Sequence, residues 1–284
     1  MRLLKRLELL RGSRRLLTNW RELFFYGIVL RKWGVNVRQP PVMRFRSGLE
    51  LEMVPGGYGG YNILFHDLFI HKDYEPTPEF VIRRDWTVLD IGANMGFFAC
   101  PAAVAVERGR VVAVEPLSGY TDVLRRNVSR NKLENVTVLQ AAATAKSGEQ
   151  IPLTVWYTKF GELKTGPAKR KAKVATEVVA GLTMADIFEQ GKIERCDLMK
   201  VDIEGAEYAL FESVPEHLWR KVDRVIMETH PVSGRDVAEL GGMLRARGFQ
   251  VSERGNLLWA TKKATPEVSA PASRNAAMSH SGGR

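Results

Sequence analysis

From Trp86 to Thr261 the chain switches repeatedly between short apolar runs and stretches whose apolar residues recur three or four apart. The runs predict strands at Trp86–Ile91, Arg110–Glu115, Val136–Gln140, Leu198–Asp202 and Val222–Glu228. The stretches between them predict helices: one from about Met95, then Ser118–Asn131, Leu182–Gln190, Ala206–Ser213 and Val237–Arg247. In the second of these, Tyr120, Val123, Leu124 and Val128 make one face. Ile151–Trp156 and Val174–Val179 predict a strand pair around a basic loop, and Phe249–Ser252 with Leu257–Thr261 a closing hairpin. Strands and helices alternating at this spacing imply an α/β fold, a mostly parallel sheet with helices on both faces and a C-terminal antiparallel hairpin.

The pattern before Trp86 is different. Residues 1–32 predict one or two basic amphipathic helices, with Leu3, Leu4, Leu7, Leu10, Leu16 and Leu17 at helical spacing. Packing on the body or on a second copy, as in a homodimer, is favoured over peripheral contact with an anionic membrane surface, which the same pattern allows. Val42–Phe45, Leu49–Val54 and Tyr61–Ile70 predict short strands, the last after a glycine-rich turn at 55–60. Residues 263–284 are a low-complexity tail, expected to lack fixed structure. The division expected is a helical arm with short strands at 1–73, an α/β domain at 74–262 and the tail.

Charge sharpens this division. Residues 1–46 hold twelve Lys/Arg against two acids, which accounts for the whole net charge of +10; the rest carries 30 of each sign. The basicity therefore belongs to the arm, and no specific nucleic-acid partner is expected of a neutral body without an aromatic-basic string. Two distant cysteines argue against a disulfide framework and suit a cytoplasmic protein. The longest early apolar run, Leu23–Leu30, is too short to span a membrane.

The candidate chemistry starts at Val88–Gly96, VLDIGANMG, an apolar strand running into a glycine turn that opens a helix. Its spacing, Gly92-x-x-x-Gly96, lacks the third glycine of a pyrophosphate loop, and the acid Asp90 stands at the strand end. A carboxylate there suits a cationic cofactor such as S-adenosylmethionine better than a phosphate. Glu115 follows Gly96 by 19 residues, about the distance at which an acid meets ribose hydroxyls, and Pro116 is expected to start the next helix. Gln140, Ala141 and Ala142 are expected beside the adenine. Pro101 predicts a late helix start or a bend.

Asp90–Phe98, Val114–Pro116, Ser147–Glu149, Leu182–Asp186, Met199–Glu207 and Ile226–His230 resemble, in order and spacing, the motifs of FkbM-type methyltransferases, with Lys200-x-Asp202-x-Glu204-Gly205-x-Glu207 complete. Tyr74, Glu75 and Pro76 resemble a motif preceding the core. The resemblance implies a Rossmann-like class I methyltransferase fold and S-adenosylmethionine-dependent methylation of a hydroxyl oxygen on a sugar, glycolipid, polyketide or similar small molecule. It places Glu75, Asp90, Gly92, Asn94, Gly96, Phe97, Glu115, Pro116, Gln140, Ala141, Ala142 and Asp202 around the cofactor.

Removing a hydroxyl proton needs a base at the carboxyl edge of the sheet. His230, Asp202 and Glu204 are the catalytic candidates, with Glu207 beside them. These carboxylates could alternatively hold Mg²⁺ or serve loop and cofactor contacts, and Lys200 is expected to pair with an acid. The other histidines, His66, His71, His217 and His280, show no metal spacing. The basic loop Lys164–Lys173 is read as a solvated loop rather than an anion site. Two other function classes compete: a nicotinamide-dependent oxidoreductase and a nucleic-acid modifying or binding protein.

Overall fold

The structure is a computed structural model in which residues 2–25, 42–54, 65–157, 163–165 and 173–262 are described. The N-terminal segment contributes helices α1 (Arg2–Leu16) and α2 (Trp20–Phe24) and a minimal hairpin, β1 (Met43–Arg44) with β2 (Glu50–Leu51). The body follows with β3 (Thr87–Ile91), α3 (Ala99–Ala105), β4 (Arg110–Val114), α4 (Ser118–Arg130) and β5 (Val136–Leu139). A second sheet contains β6 (Ala142–Ala143), β7 (Gln150–Tyr157), β8 (Leu163–Thr165) and β9 (Lys173–Leu182). Then come α5 (Met184–Gln190), β10 (Leu198–Val201), α6 (Glu207–Ser213), α7 (Glu216–Trp219), β11 (Arg224–Glu228), α8 (Val237–Arg245), β12 (Phe249–Arg254) and β13 (Leu257–Lys262).

The main sheet has seven strands in the order β12-β13-β11-β10-β3-β4-β5, parallel except where β13 runs against β11 and β12. This is the expected α/β sheet with its antiparallel hairpin. Alternate residues of each central strand enter different cores, as period-two geometry requires. Leu89, Ile91, Val112, Val114, Met199 and Val201 pack with Phe211, Trp219 and Leu240. Val88, Val111, Ala113 and Leu198 pack on the other face with Leu17, Met43, Leu51, Met53 and Phe65, so the N-terminal segment covers one side of the sheet.

Helix α3 starts late, at Ala99, which leaves Pro101 in its first turn, where a missing N–H breaks no helical bond. Helices α5 and α8 open with reciprocal capping boxes, Thr183 with Asp186 and Asp236 with Glu239.

Four expectations need correction. His66–Ile70 form a π-helical turn, not the end of a strand from Tyr61, and residues 61–64 lie outside the described ones. Pro116 does not start α4: the chain stays extended through Leu117, and Ser118 is the first helical residue. Within the expected basic loop, Lys164 and Thr165 belong to a strand paired with Trp156 and Val155; residues 166–172 lie outside the described ones. The strands expected over Val42–Phe45 and Leu49–Val54 shrink to two residues each. The turn at 55–60 and the tail at 263–284 also fall outside the described residues. No helix among those described is long and apolar enough to cross a membrane.

Candidate active site

The carboxyl ends of β3, β4, β10 and β11 bring four loops together. Gly92 N–H and Ala93 N–H both donate to Val114 O, at 2.9 and 3.0 Å, folding the turn after β3 across the end of β4. Gly92 has φ +82°, and a Cβ there would stand 1.8 Å from Asp202 O. Only glycine permits both the dihedral and this approach of the β10 loop. Gly96, at φ +85°, lets Leu124 of α4 pack against the turn. Asn94 takes φ +50°, which asparagine tolerates better than most residues, and its Oδ1 accepts from Met95 N–H at 2.8 Å.

Glu115 closes this turn. Its Oε2 accepts from Asn94 N–H at 2.8 Å and its Oε1 from Leu117 N–H at 3.0 Å. Burial pushes its pKa up to about 7, opposed by those two amides. Each oxygen keeps a second lone pair, so two acceptor sites remain for hydroxyl groups.

Asp90 and Lys200 are partners in the parallel register of β3 and β10, on the face covered by the N-terminal segment. Both are buried, and Lys200 Nζ lies 3.2 Å from Asp90 Oδ1. The ammonium also donates to Gly92 O at 2.9 Å and lies 3.6 Å from Asp202 Oδ2. Burial opposes its charge, but Asp90 and Asp202 hold its pKa above the ordinary value. Burial raises the pKa of Asp90 despite this partner. The pairing expected of Lys200 is present, with two acids rather than one. Tyr74 is close enough to feel Lys200, Asp202, Glu228 and Asp90; burial raises its pKa, and its ring meets Phe98 edge-on at 5.6 Å.

His230 follows β11 and faces three acids. Its Nδ1 hydrogen-bonds Glu207 Oε1 at 2.9 Å, and its Nε2 lies 3.6 Å from Glu204 Oε2 and 3.8 Å from Asp202 Oδ1. The Glu207 bond, opposed by burial and reinforced by the charges of all three acids, pushes His230 up to about 9. Glu207 is fully buried and also accepts from Ile203 N–H at 3.2 Å. Glu204, at φ +54°, projects into solvent. The carboxylates therefore do not converge into an all-oxygen cage. Glu207 is turned inward, and the third donor beside Asp202 and Glu204 is a histidine nitrogen, which suits Mg²⁺ poorly.

The remaining candidates are more dispersed. Phe97 and Ala141 are buried and Ala142 half-buried, while Gln140 is exposed and accepts from Arg125 at 3.2 Å. Glu75 is paired with Lys72 at 2.7 Å, so within its motif the neighbouring Tyr74 is the residue turned toward Lys200 and Asp202. The sequence pointed to Tyr74 only as part of its motif, and not to Glu228 as a site residue. Glu228 ends β11, its pKa is raised by burial and then by Asp202, and it accepts from Asn256 at 2.6 Å. Its signal was its position, a strand-end acid two residues before His230.

A parallel sheet with a glycine turn, a buried acid after the second strand and an anionic carboxyl edge defines a Rossmann-like methyltransferase. Residues 90–251 match the Methyltransferase FkbM domain, and the chain belongs to that family of S-adenosylmethionine-dependent methyltransferases. Methyltransferase sdnD of Sordaria araneosa is 29% identical over 61% of this chain and 76% of its own length. The 31-O-demethyl-FK506 methyltransferase FkbM of Streptomyces tacrolimicus is 24% identical over 77% of this chain and 92% of its own. The hexuronic acid methyltransferase AglP of Haloferax volcanii is 26% identical over 56% and 62%. The family match removes the nicotinamide-dependent alternative.

Proposed function

We propose that this methyltransferase acts on a hydroxyl oxygen of a sugar, glycolipid, polyketide or similar small molecule. The observation that carries the reading is the His230 imidazole held by buried Glu207 and aimed between Asp202 and Glu204 at the edge of the glycine turn. The names of two relatives, one a 31-O-demethyl-FK506 methyltransferase and one a hexuronic acid methyltransferase, support acceptors of this class.

The donor set fits S-adenosylmethionine. The turn Gly92–Gly96 with Phe97 would hold the methionine end, the half-buried Asp202 would face its cationic groups while Asp90, paired with Lys200, braces the turn, Glu115 would accept from ribose hydroxyls, and Pro116, Gln140, Ala141 and Ala142 would border the base. Glu75 belongs to this set through its motif rather than through a contact. When bound, the cofactor supplies an electrophilic methyl on a good leaving group, which leaves alignment and proton removal to the chain.

His230 at about 9 is protonated at neutral pH in the free chain and cannot accept a proton there. Acting as a base therefore requires the neutral imidazole, with Nδ1–H on Glu207 and the Nε2 lone pair free, a form whose population grows as pH rises toward about 9. Glu207 orients the ring through Nδ1, and Asp202 and Glu204 stabilise the imidazolium formed when the acceptor hydroxyl is deprotonated.

Mass spectrometry of candidate glycans, lipids and metabolites incubated with enzyme and methyl-labelled cofactor tests this directly. The expected product carries one added methyl as an ether; a label found as a carboxylate ester, or on nitrogen or carbon, would sink the reading. His230→Ala should lower kcat at least about 100-fold with little change in S-adenosylhomocysteine affinity. Unchanged turnover with the true acceptor would remove His230 from the mechanism.

A further inference from the structure

Outside the active site, the π-helical turn His66–Ile70 carries a second cluster of ionisable groups. Sequence spacing gave no reason to expect it, because one of its members is 58 residues away from His66. In an α-helix, residues five apart point about 140° away from each other. Here His71 N–H donates to His66 O at 2.9 Å, closing a wider turn that brings the two rings together, tilted at 54° with centroids 4.0 Å apart.

Helix α1 crosses this turn at very short range. A Cβ on Gly12 would stand 2.4 Å from Ile70 Cδ1, so glycine lets the helix lie against Ile70 without displacing that side chain. Glu8 is one turn earlier on the same face. Its Oε2 lies 3.5 Å from His66 Nε2 and 3.9 Å from His71 Nε2.

We infer that Glu8, His66 and His71 form a binding site for a borderline divalent transition-metal ion of the zinc type, clamping α1 to the body. Donor atoms about 2 Å from a tetrahedral ion stand roughly 3.3 Å apart. One atom from each of these residues lies within 4.8 Å of the others, so small side-chain rotations complete the set. Two imidazoles and one carboxylate suit zinc and its neighbours better than Mg²⁺ or Ca²⁺.

A second observation points the same way. His66 Nδ1 is 3.0 Å from Asp67 Oδ1, and the His66 side chain is only 8% exposed. A carboxylate behind a histidine fixes the ring and directs the lone pair of the other nitrogen outward, the outer-shell arrangement of metal-bound histidines. Here that nitrogen faces Glu8. Glu8 and His71 are half exposed, which leaves an entry path and room for a water as fourth ligand. Asp73 lies near His71 but is already paired with Arg254 at 2.8 Å, so it is not counted among the ligands.

The test uses the full chain, without an affinity tag, stripped with a chelator and titrated with Zn²⁺ in a calorimeter. One ion should bind with a Kd of about 1 µM or tighter and raise Tm. His71→Gln and Glu8→Gln, both at half-exposed positions, should each weaken binding at least about tenfold and abolish the Tm rise, and Asp67→Asn should weaken it less. His66→Ala risks misfolding because the ring is buried, so the result rests on the two exposed positions. Asp202, Glu204 and His230 also bring donor atoms together, so His230→Gln is the control and should bind as the unaltered chain does. Absence of binding at 100-fold excess, or binding lost in His230→Gln but intact in His71→Gln, would overturn the site.

Discussion

Lys200 and Asp90 show how one residue pair serves two ends. Both are buried, in register on neighbouring strands, and the ammonium also holds Gly92 O and faces Asp202. Removing one member of a buried pair leaves the other charge without compensation, so Lys200→Met should cost about 3–5 kcal/mol in urea unfolding. It should also weaken S-adenosylhomocysteine binding, because the glycine turn loses its anchor. His230 gives a second residue-scale expectation, from linkage. Its pKa is raised to about 9 in the folded chain, chiefly by Glu207, so the folded state holds the proton more tightly than the unfolded one. That contribution is complete below the ordinary value near 6.5 and is lost as pH rises through about 9. The Tm advantage of the unaltered chain over His230→Gln should therefore shrink between pH 6.5 and 9.5; an advantage that grew with pH would contradict the assignment of the cationic form.

At the scale of elements, the helices that cover the sheet are short and depend on their ends. Helix α8 has nine residues, and the Asp236 side chain accepts from Ala238 N–H at 2.9 Å while Glu239 accepts from Asp236 N–H at 2.9 Å. Asp236→Ala should cost about 1 kcal/mol by chemical denaturation, without altering turnover, because the cap holds α8 and touches nothing in the catalytic groove. Helix α3 illustrates the opposite case. Its capless start at Ala99 follows from Pro101 and from Gly96, whose carbonyl accepts from Cys100 N–H at 2.9 Å. The proline was readable as a constraint that a bend or a late start would satisfy, and the structure shows the late start.

The whole molecule is joined through Asn127 and Asn131 of the α4 segment. Asn127 Oδ1 accepts from Glu52 N–H at 2.6 Å, and its Nδ2 donates to Glu52 O and Met95 O at 3.0 and 2.9 Å. Asn131 makes the same exchange with Glu50. These bonds continue the sheet-like backbone pairing of the N-terminal segment onto a helix of the body and end at the glycine turn. Asn127 is fully buried, so Asn127→Ala would strand backbone donors and acceptors. The expected cost is about 2–4 kcal/mol, with weaker S-adenosylhomocysteine binding measured in parallel by calorimetry. Loss of stability with unchanged affinity would show that the N-terminal segment supports the fold but not the cofactor turn.

The strands of the main sheet, most of the helices between them, the glycine turn and the acids at the strand ends were legible in the chain, because each rests on local periodicity or short spacing; β6, β8 and α7 were not. His230 and Asp202 were legible as members of one edge for the same reason. Their charge states were not: what His230 can do depends on Glu207, 23 residues earlier, and on burial that no local pattern records. The strand read over Tyr61–Ile70 failed at His66–Ile70, whose apolar residues fit a half-buried π-turn lying against α1 equally well. Local sequence thus set the elements and their order, whereas proximity between distant residues, with the electrostatics it creates, existed only once the chain had closed on itself.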